Sequence, residues 1–377
     1  MNENWIEISL SDLPLRDDLR SEKPYGAPQI DCEVQLNVNE NPYPPSEKVV
    51  ADIVAAVTKE AIRLNRYPDR ESMELRIKLA AYLSEDSGIQ LSPDMIWAGN
   101  GSNEILQQVM QAFGGPGRTA FSFAPTYPMY PEYSRNSLTK WIVGHRNEDF
   151  TIDINYALEE IKRYNPSLVF LASPNNPTGT ALKLQDVETI LKQTLGVVIV
   201  DEAYGEFRRL GIPSAISLLP RYPKLIVSRT MSKAFSLAGG RVGYLATNKV
   251  IVDALRIIRL PYHLSRVTQA TAMAALDNKK ELLEKVNEMR IERDKLVIWL
   301  RGIGLKVPDS DANFVLFGVF ADSRAVWQGL LDNGILIRET ELCGWLRVSI
   351  GTPVEMEKFR VALMKVLNIV GSTTDSA

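Results

Sequence analysis

The 377-residue chain is predicted to be an α/β protein, with a mainly parallel sheet sandwiched by helices and a small α+β domain after it. Short continuous apolar runs, such as 197–200, alternate with stretches of helical spacing. This alternation is typical of parallel strands that are buried on both faces. It ends near residue 246, where longer helical stretches begin. The length suits two domains.

The elements are predicted from local patterns along the chain. Helices are expected where apolar residues recur every three to four positions: 51–64, 73–83, 102–113, 154–164, 184–193, 251–258, 279–300, 324–331 and 354–367. Strands are expected at the short apolar runs: 95–98, 119–123, 141–143, 168–171, 197–200, 225–227, 242–246, 313–319, 335–338 and 345–350.

A division into three parts follows from these elements. The first 48 residues are irregular and rich in proline, which predicts an extended arm rather than a core. We therefore expect an arm over residues 1–50 that packs with the small domain, a large domain over 51–260, and a small C-terminal domain over 261–377.

Composition excludes several classes of function. Lys plus Arg number 43 against 46 Asp plus Glu, and this balance argues against nucleic-acid and membrane-surface partners. The two histidines have no metal-ligand spacing, so no metal site is expected. Two cysteines cannot form a disulfide framework. No long apolar segment or signal peptide is visible, which predicts a cytoplasmic protein.

The loops that follow the strands are the candidate binding segments, because ligands of open α/β sheets bind beyond the carboxyl ends of the strands. The loop 99–104, Gly-Asn-Gly-Ser-Asn-Glu, leads into a helix whose first N–H groups can bind an anion. Gly101 would let the backbone approach a phosphate closely. Alternatively, Ser102 or Asn103 only caps the helix. Glu104 stands where a dinucleotide fingerprint has its third glycine, which disfavours a nicotinamide dehydrogenase.

Two further loops offer an amide and an acid. The loop 173–179 holds two prolines and a glycine, and such a rigid turn can aim the Asn176 amide at a ligand. It can equally be a plain surface turn. Asp201 ends a buried run, where a carboxylate is costly unless it is paired or hydrogen-bonded. A pyridinium N–H would be such a partner, as would a helix cap or a structural cation.

The last of these loops carries a lysine in an apolar setting. Lys233 stands beside the hydroxyls of Thr230 and Ser232, and Phe235 follows it. A desolvated lysine has a lowered pKa and can attack a carbonyl as a free amine. Arg241 offers a forked donor for a phosphate. An anion cradle, an amide, an acid and a lysine together are the set that pyridoxal 5′-phosphate requires.

These segments resemble a known family. The run 232–244, Ser-Lys-Ala-Phe-Ser-Leu-Ala-Gly-Gly-Arg-Val-Gly-Tyr, resembles the lysine motif of the class I/II aminotransferases of fold type I. Asn-Asn-Pro-Thr-Gly at 175–179 and Asp-Glu-Ala-Tyr at 201–204 are similar to the same family. Within it, the segments 36–42, 66–69, 99–104 and 346–353 resemble the histidinol-phosphate aminotransferase branch.

The resemblance implies a role for individual residues. Lys233 would bond covalently to the cofactor and then move a proton, while Asp201 would pair with the ring nitrogen. Asn176 and Tyr204 would hydrogen-bond the ring hydroxyl, and Tyr127 would stack on the ring. The residues implied to surround the cofactor phosphate are Gly101, Ser102, Asn103, Thr230, Ser232 and Arg241, with Tyr67 from the other subunit of a homodimer. The residues implied to bind substrate are Tyr25, Asn39, Arg338 and Arg347.

The implied reaction is amino transfer between histidinol phosphate and 2-oxoglutarate, which yields imidazole acetol phosphate and glutamate in histidine biosynthesis. Three alternatives stay open at the level of sequence. They are an aromatic amino acid aminotransferase on the same scaffold, an amino acid phosphate decarboxylase, and a non-catalytic ligand-sensing protein of the same fold.

Overall fold

The computed structural model describes residues 7–24 and 26–374, with side chains through residue 367. Contacts within the chain divide it into two compact units, Met1–Asp31 and Cys32–Ala377. The first unit contains two short 3-10 helices, Leu10–Asp12 and Asp17–Leu19. The second unit contains the sheets and the longer helices.

The strands of the second unit are, in chain order, β1 (Val34–Gln35), β2 (Ile96–Gly99), β3 (Thr119–Ala124), β4 (Lys140–His145), β5 (Leu168–Ala172), β6 (Val197–Asp201), β7 (Leu225–Thr230), β8 (Gly243–Thr247), β9 (Phe314–Phe317), β10 (Ile335–Leu336), β11 (Arg338–Glu339) and β12 (Leu346–Ser349). Its helices are α1 (Glu47–Ala61), α2 (Met73–Ser87), α3 (Gly101–Phe113), α4 (Met129–Asn136), α5 (Ile154–Tyr164), α6 (Leu184–Gln193), α7 (Lys249–Ile258), α8 (Arg266–Asp277), α9 (Lys279–Gly302), α10 (Ser323–Asp332) and α11 (Pro353–Thr374).

The central sheet has seven strands in the order β2-β8-β7-β6-β5-β3-β4. Only β8 runs antiparallel to its neighbours, and the other pairings are parallel. The side chains of β5 alternate between two separate apolar clusters: Val169 and Leu171 enter one, Leu168 and Phe170 the other. Both faces of the sheet are therefore buried, as the continuous apolar runs predicted.

A second, antiparallel sheet has the order β11-β12-β9, and β1 pairs separately with β10 in parallel. The prediction of one strand over 335–338 was wrong, because two short strands in different sheets occupy it. The interruption falls at Ile337, whose carbonyl accepts a hydrogen bond from the Trp327 indole at 2.8 Å rather than from a neighbouring strand.

Two helices were missed in the sequence. The α4 segment carries Pro131 inside it, and proline argues against a helix interior. The α8 segment is rich in alanine, so its apolar stripe is weak, although the Ser265 hydroxyl caps it by accepting from the Thr268 N–H at 3.0 Å. Helix α1 also begins before residue 51, since Ser46 caps it.

The division into 1–50, 51–260 and 261–377 stays a prediction. Within the described residues, none of the helices combines the length and apolar character that crossing a bilayer requires.

Candidate active site

The carboxyl ends of three adjacent parallel strands bring the predicted loops together. Strands β5, β6 and β7 lie side by side and lead into the loops of Asn176, Asp201 and Lys233 respectively. The antiparallel β8 completes the arrangement, because Gly243 pairs in register with Thr230 on one side and with Gly99 on the other. The amino end of α3 is thereby held beside the lysine loop.

Asp201 is a buried carboxyl held by three donors. Its Oδ2 accepts from the Tyr130 hydroxyl at 2.8 Å. Its Oδ1 accepts from the Ser228 hydroxyl at 3.0 Å and from the Ala203 N–H at 3.2 Å. Burial nevertheless raises the pKa of Asp201, and these hydrogen bonds only partly oppose it. A cationic N–H would stabilise the ionised form of this carboxyl.

Lys233 is a desolvated amine, as its context predicted. Its Nζ donates to the Val38 carbonyl at 3.0 Å. Burial lowers the pKa of Lys233 to about 8, and the positive charges of Arg347 and Arg241 act in the same direction, while Glu40 opposes them. About a tenth of this lysine is therefore a neutral nucleophile at pH 7, against well under a thousandth of an ordinary lysine.

An anion cradle surrounds the amino end of α3. Gly101 has φ 83°, and a Cβ added there would lie 2.4 Å from Nη2 of Arg241. A Cβ added at Gly243 would lie 2.2 Å from the Ser102 amide nitrogen. These two glycines therefore keep the guanidinium close to the free N–H groups of the helix.

Hydroxyl groups line the other side of the cradle. The Ser232 hydroxyl accepts from Nη1 of Arg241 at 3.2 Å and from the Thr230 hydroxyl at 3.0 Å. The structure thus brings together the six residues predicted to bind a phosphate, with Asn103 contributing from the first turn of α3. The Asn103 side-chain oxygen also accepts from the hydroxyls of Tyr127 and Tyr133 at 3.2 and 2.9 Å.

Asn176 and Tyr204 each accept a hydrogen bond from another polar side chain. The Asn176 oxygen accepts from Nη1 of Arg347. Nη2 of Arg347 donates to the Asn37 carbonyl at 2.8 Å. The Tyr204 oxygen accepts from the Asn39 amide at 3.0 Å. Strand alternation predicts that Arg347 points to the opposite face from its apolar neighbours Leu346 and Val348. Arg347 is buried, as are the other residues of β12.

The remaining predicted residues are Arg338, Tyr67 and Tyr25. Arg338 is partly buried on β11, directly opposite Arg347 in register, and among the described residues its guanidinium makes no hydrogen bond or ion pair. Tyr67 is 75% exposed and stacks on Tyr262 with ring centroids 4.4 Å apart. Tyr25 lies outside the described residues.

Sequence reasoning missed several groups that contact the predicted residues, among them Tyr130, Ser228, and the backbone of 37–38. A signal exists for Ser228, because it is a polar residue directly after the apolar run 225–227. In the structure it is the register partner of Asp201. No local pattern marks the two carbonyls.

The donor set fits pyridoxal 5′-phosphate. The cradle of N–H groups, hydroxyls and a guanidinium suits its phosphate, and the glycines leave room that a Cβ would fill. The buried Asp201 suits the ring nitrogen, and the amine of Lys233 suits the aldehyde. A mainly parallel α/β sheet whose strand ends carry these groups defines an enzyme of the pyridoxal-phosphate type.

Comparison with known proteins gives the family. The profile of the aminotransferase class I and II family matches residues 33–363, and the chain belongs to that family, whose members are pyridoxal-phosphate-dependent enzymes. The histidinol-phosphate aminotransferase 3 of Burkholderia lata is 56% identical over 367 residues, covering 97% of this chain and 99% of its own length. The histidinol-phosphate aminotransferase of Thermobifida fusca is 57% identical, covering 95% and 96%.

Solved structures agree with the fold. The histidinol-phosphate aminotransferase of Sinorhizobium meliloti, determined in complex with pyridoxal 5′-phosphate, superposes with a TM-score of 0.85 at 26% identity, covering 96% of this chain and 100% of that one. The corresponding enzyme of Clostridium acetobutylicum gives a TM-score of 0.80 at 25% identity, covering 89% and 99%. The chain is thus an aminotransferase of fold type I that depends on pyridoxal 5′-phosphate.

Proposed function

We propose that this aminotransferase exchanges an amino group between histidinol phosphate and 2-oxoglutarate, in histidine biosynthesis. The observation that carries the proposal is the pair of arginines on neighbouring strands, Arg347 and Arg338, which are directly opposite in register. Directly opposed residues project from the same face of an antiparallel pair. Two guanidinium groups there suit substrates that carry a phosphate or two carboxylates. Relatives more than half identical bear the matching name.

The side chains divide the work at the cofactor site. When bound, pyridoxal 5′-phosphate supplies an aldehyde that bonds the transferred amino group and an electron-poor ring that accepts the electron pair of the Cα–H bond. Gly101, Ser102, Asn103, Thr230, Ser232 and Arg241 would hold its phosphate. Asp201 would hold a proton on the ring nitrogen. Asn176 and Tyr204 would donate to the ring oxygen, and Tyr127 would cover the ring face.

Lys233 moves the proton in this proposal. Its pKa of about 8 places both protonation states within reach near neutral pH, which is the condition for efficient general acid–base catalysis. The neutral amine can take a proton from the substrate Cα, and the resulting ammonium can then donate that proton to a second atom. Arg347 disfavours the ammonium by its positive charge.

Substrate orientation falls to Arg347 and Arg338, with Asn39 and Tyr25 as further predicted contacts. Arg347 is fixed by Asn176 and by the Asn37 carbonyl, so its fork is oriented before substrate binds. Arg338 is free of such contacts within the described part of the chain and is available to a second anionic group.

The same proposal includes a cytoplasmic homodimer that shares its active sites. Support comes from an exposed aromatic and aliphatic surface around Tyr67, with Tyr262 stacked on it and Ile62 84% exposed on the same stretch of chain. Exposed apolar groups of this kind commonly mark an interface. Tyr67 would reach the cofactor phosphate of the neighbouring subunit.

A donor panel tests the function. Purified holoenzyme is supplied with 2-oxoglutarate and with histidinol phosphate, histidinol or phenylalanine, and glutamate formation is measured. Histidinol phosphate should give the highest kcat/KM. Phenylalanine turnover far above that of histidinol phosphate would favour an aromatic aminotransferase, carbon dioxide release would favour a decarboxylase, and no turnover with any donor would favour a ligand-sensing protein.

A further inference from the structure

Three consecutive residues, Asn37, Val38 and Asn39, contact three different side chains of the site. The Asn37 carbonyl accepts from Arg347, the Val38 carbonyl accepts from Lys233, and the Asn39 amide donates to Tyr204. Asn39 is buried and has φ 57°, a left-handed conformation that asparagine tolerates better than most residues. Only this third contact uses a side chain of the segment, so it alone depends on which residue stands there.

The orientation of the Asn39 amide is fixed by Ser349. The Asn39 N–H donates to the Ser349 hydroxyl oxygen at 2.8 Å, which leaves the hydroxyl proton to be donated to Oδ1 of Asn39 at 3.0 Å. With its oxygen committed in this way, the asparagine presents its NH₂ group to Tyr204. A flipped amide would turn its NH₂ group toward Ser349, and the Ser349 hydroxyl would lose the acceptor for its proton.

The direction of the hydrogen bond determines how Tyr204 acts. Its phenol oxygen accepts from Asn39, so its own proton points away from Asn39. A hydroxyl that accepts one hydrogen bond is polarised into a stronger donor of the next. Tyr204 is 7% exposed, so this polarisation takes place away from bulk water.

We propose that Asn39, oriented by Ser349, is a positioning residue that fixes the Tyr204 hydroxyl as a donor toward the ring oxygen of the cofactor. The proposal rests on the proposed function only in taking Tyr204 to contact that oxygen. Arg347 and Ser349 lie two positions apart on β12. Arg347 orients Asn176, and Ser349 orients Asn39, which in turn contacts Tyr204. One strand therefore orients both predicted donors to the ring oxygen.

The test reads the protonation of the bound cofactor from its visible absorbance as a function of pH. A donor to the ring oxygen stabilises the deprotonated chromophore, so its loss raises the apparent pKa. Asn39→Gly removes the amide while tolerating the positive φ, and should raise that pKa by about one unit. Tyr204→Phe should produce a similar rise, and combining the two changes should add nothing further, because both act through one hydroxyl.

Asn313→Ala is the matched control. The Asn313 amide donates to the Asn39 carbonyl at 2.9 Å, so this variant removes a hydrogen bond at the same residue but leaves the Asn39 side chain in place. Its chromophore should titrate as in the wild type. Should Asn39→Gly fail to fold, Ser349→Ala provides the same test by releasing the amide, with a rise in the same direction.

Each of three results would overturn the proposal. They are additive shifts from Asn39→Gly and Tyr204→Phe, an unchanged pKa in Asn39→Gly or Ser349→Ala, and an equal shift in Asn313→Ala. The donor panel is measured on the wild type alone. A failed donor panel with shifted titrations therefore refutes only the substrate assignment, and the reverse pattern refutes only the positioning role.

Discussion

Replacing Lys233 by methionine should stabilise the cofactor-free protein at pH 7. Burial lowers the pKa of this lysine from 10.5 to about 8, which corresponds to about 3 kcal/mol of unfavourable free energy for the ammonium form in the folded state. Losing the hydrogen bond from Nζ to the Val38 carbonyl offsets about 1 kcal/mol of that gain. The free energy of unfolding should therefore rise by about 2 kcal/mol.

The pH dependence gives the sharper test. Because the folded-state pKa lies below the unfolded one, the penalty is fully present below pH 8 and is relieved as the pH rises toward 10.5. The wild type should therefore gain stability relative to the variant across this range. Urea unfolding of both cofactor-free proteins at one fixed protein concentration, from pH 6 to 10.5, measures the difference directly.

Lys280→Met serves as the control, since Lys280 is an exposed lysine in the first turn of α9. Removing this exposed side chain should not produce the gain in stability that is expected for Lys233→Met. Wild type and Lys233→Met curves that stay parallel from pH 8 to 10.5 would show that the amine is not desolvated, and the argument for a neutral nucleophile near pH 7 would fail.

Removing the acid by Asp201→Ala should weaken cofactor retention more than a hundredfold, since losing one member of a buried charge pair costs about 3–5 kcal/mol; unchanged retention in equilibrium dialysis would make Asp201 merely structural. Mixing Tyr67→Phe with Lys233→Ala subunits should restore activity in one of the two sites of each heterodimer. Heterodimers that form without any recovery would refute the shared site. Arg347→Lys should lower kcat/KM for histidinol phosphate and for glutamate by about 10-fold to several hundredfold, with cofactor affinity nearly unchanged. Arg338→Ala should lower kcat/KM more for histidinol phosphate than for histidinol; equal losses would show that it does not bind the phosphate.

The strand-end loops could be predicted because their signals are local. The buried runs before Asn176, Asp201 and Lys233 are continuous and apolar, and each run stops at residues that suit a turn or a ligand. Parallel pairing then brings the loops to one edge of the sheet. The separation of β10 from β11 was not predictable in this way, since it depends on the distant indole of Trp327.

The polar contacts that orient the site residues could not be predicted, because they join residues far apart in sequence. Asn39 is 165 positions from Tyr204 and 310 positions from Ser349. Nothing near residue 39 indicates either partner. Tyr130 was missed for a related reason: it lies in α4, whose internal proline hides the helix that aims its hydroxyl at Asp201.

Borohydride trapping tests the central claim most directly, because it follows the cofactor and the substrate at one lysine. Reduction of the holoenzyme, followed by peptide mass spectrometry, should fix pyridoxal phosphate on Lys233. After one equivalent of histidinol phosphate the label should disappear, since the cofactor then carries the amino group, and 2-oxoglutarate should restore it. A label on another lysine, or a Lys233 label that histidinol phosphate leaves unchanged, would contradict the account.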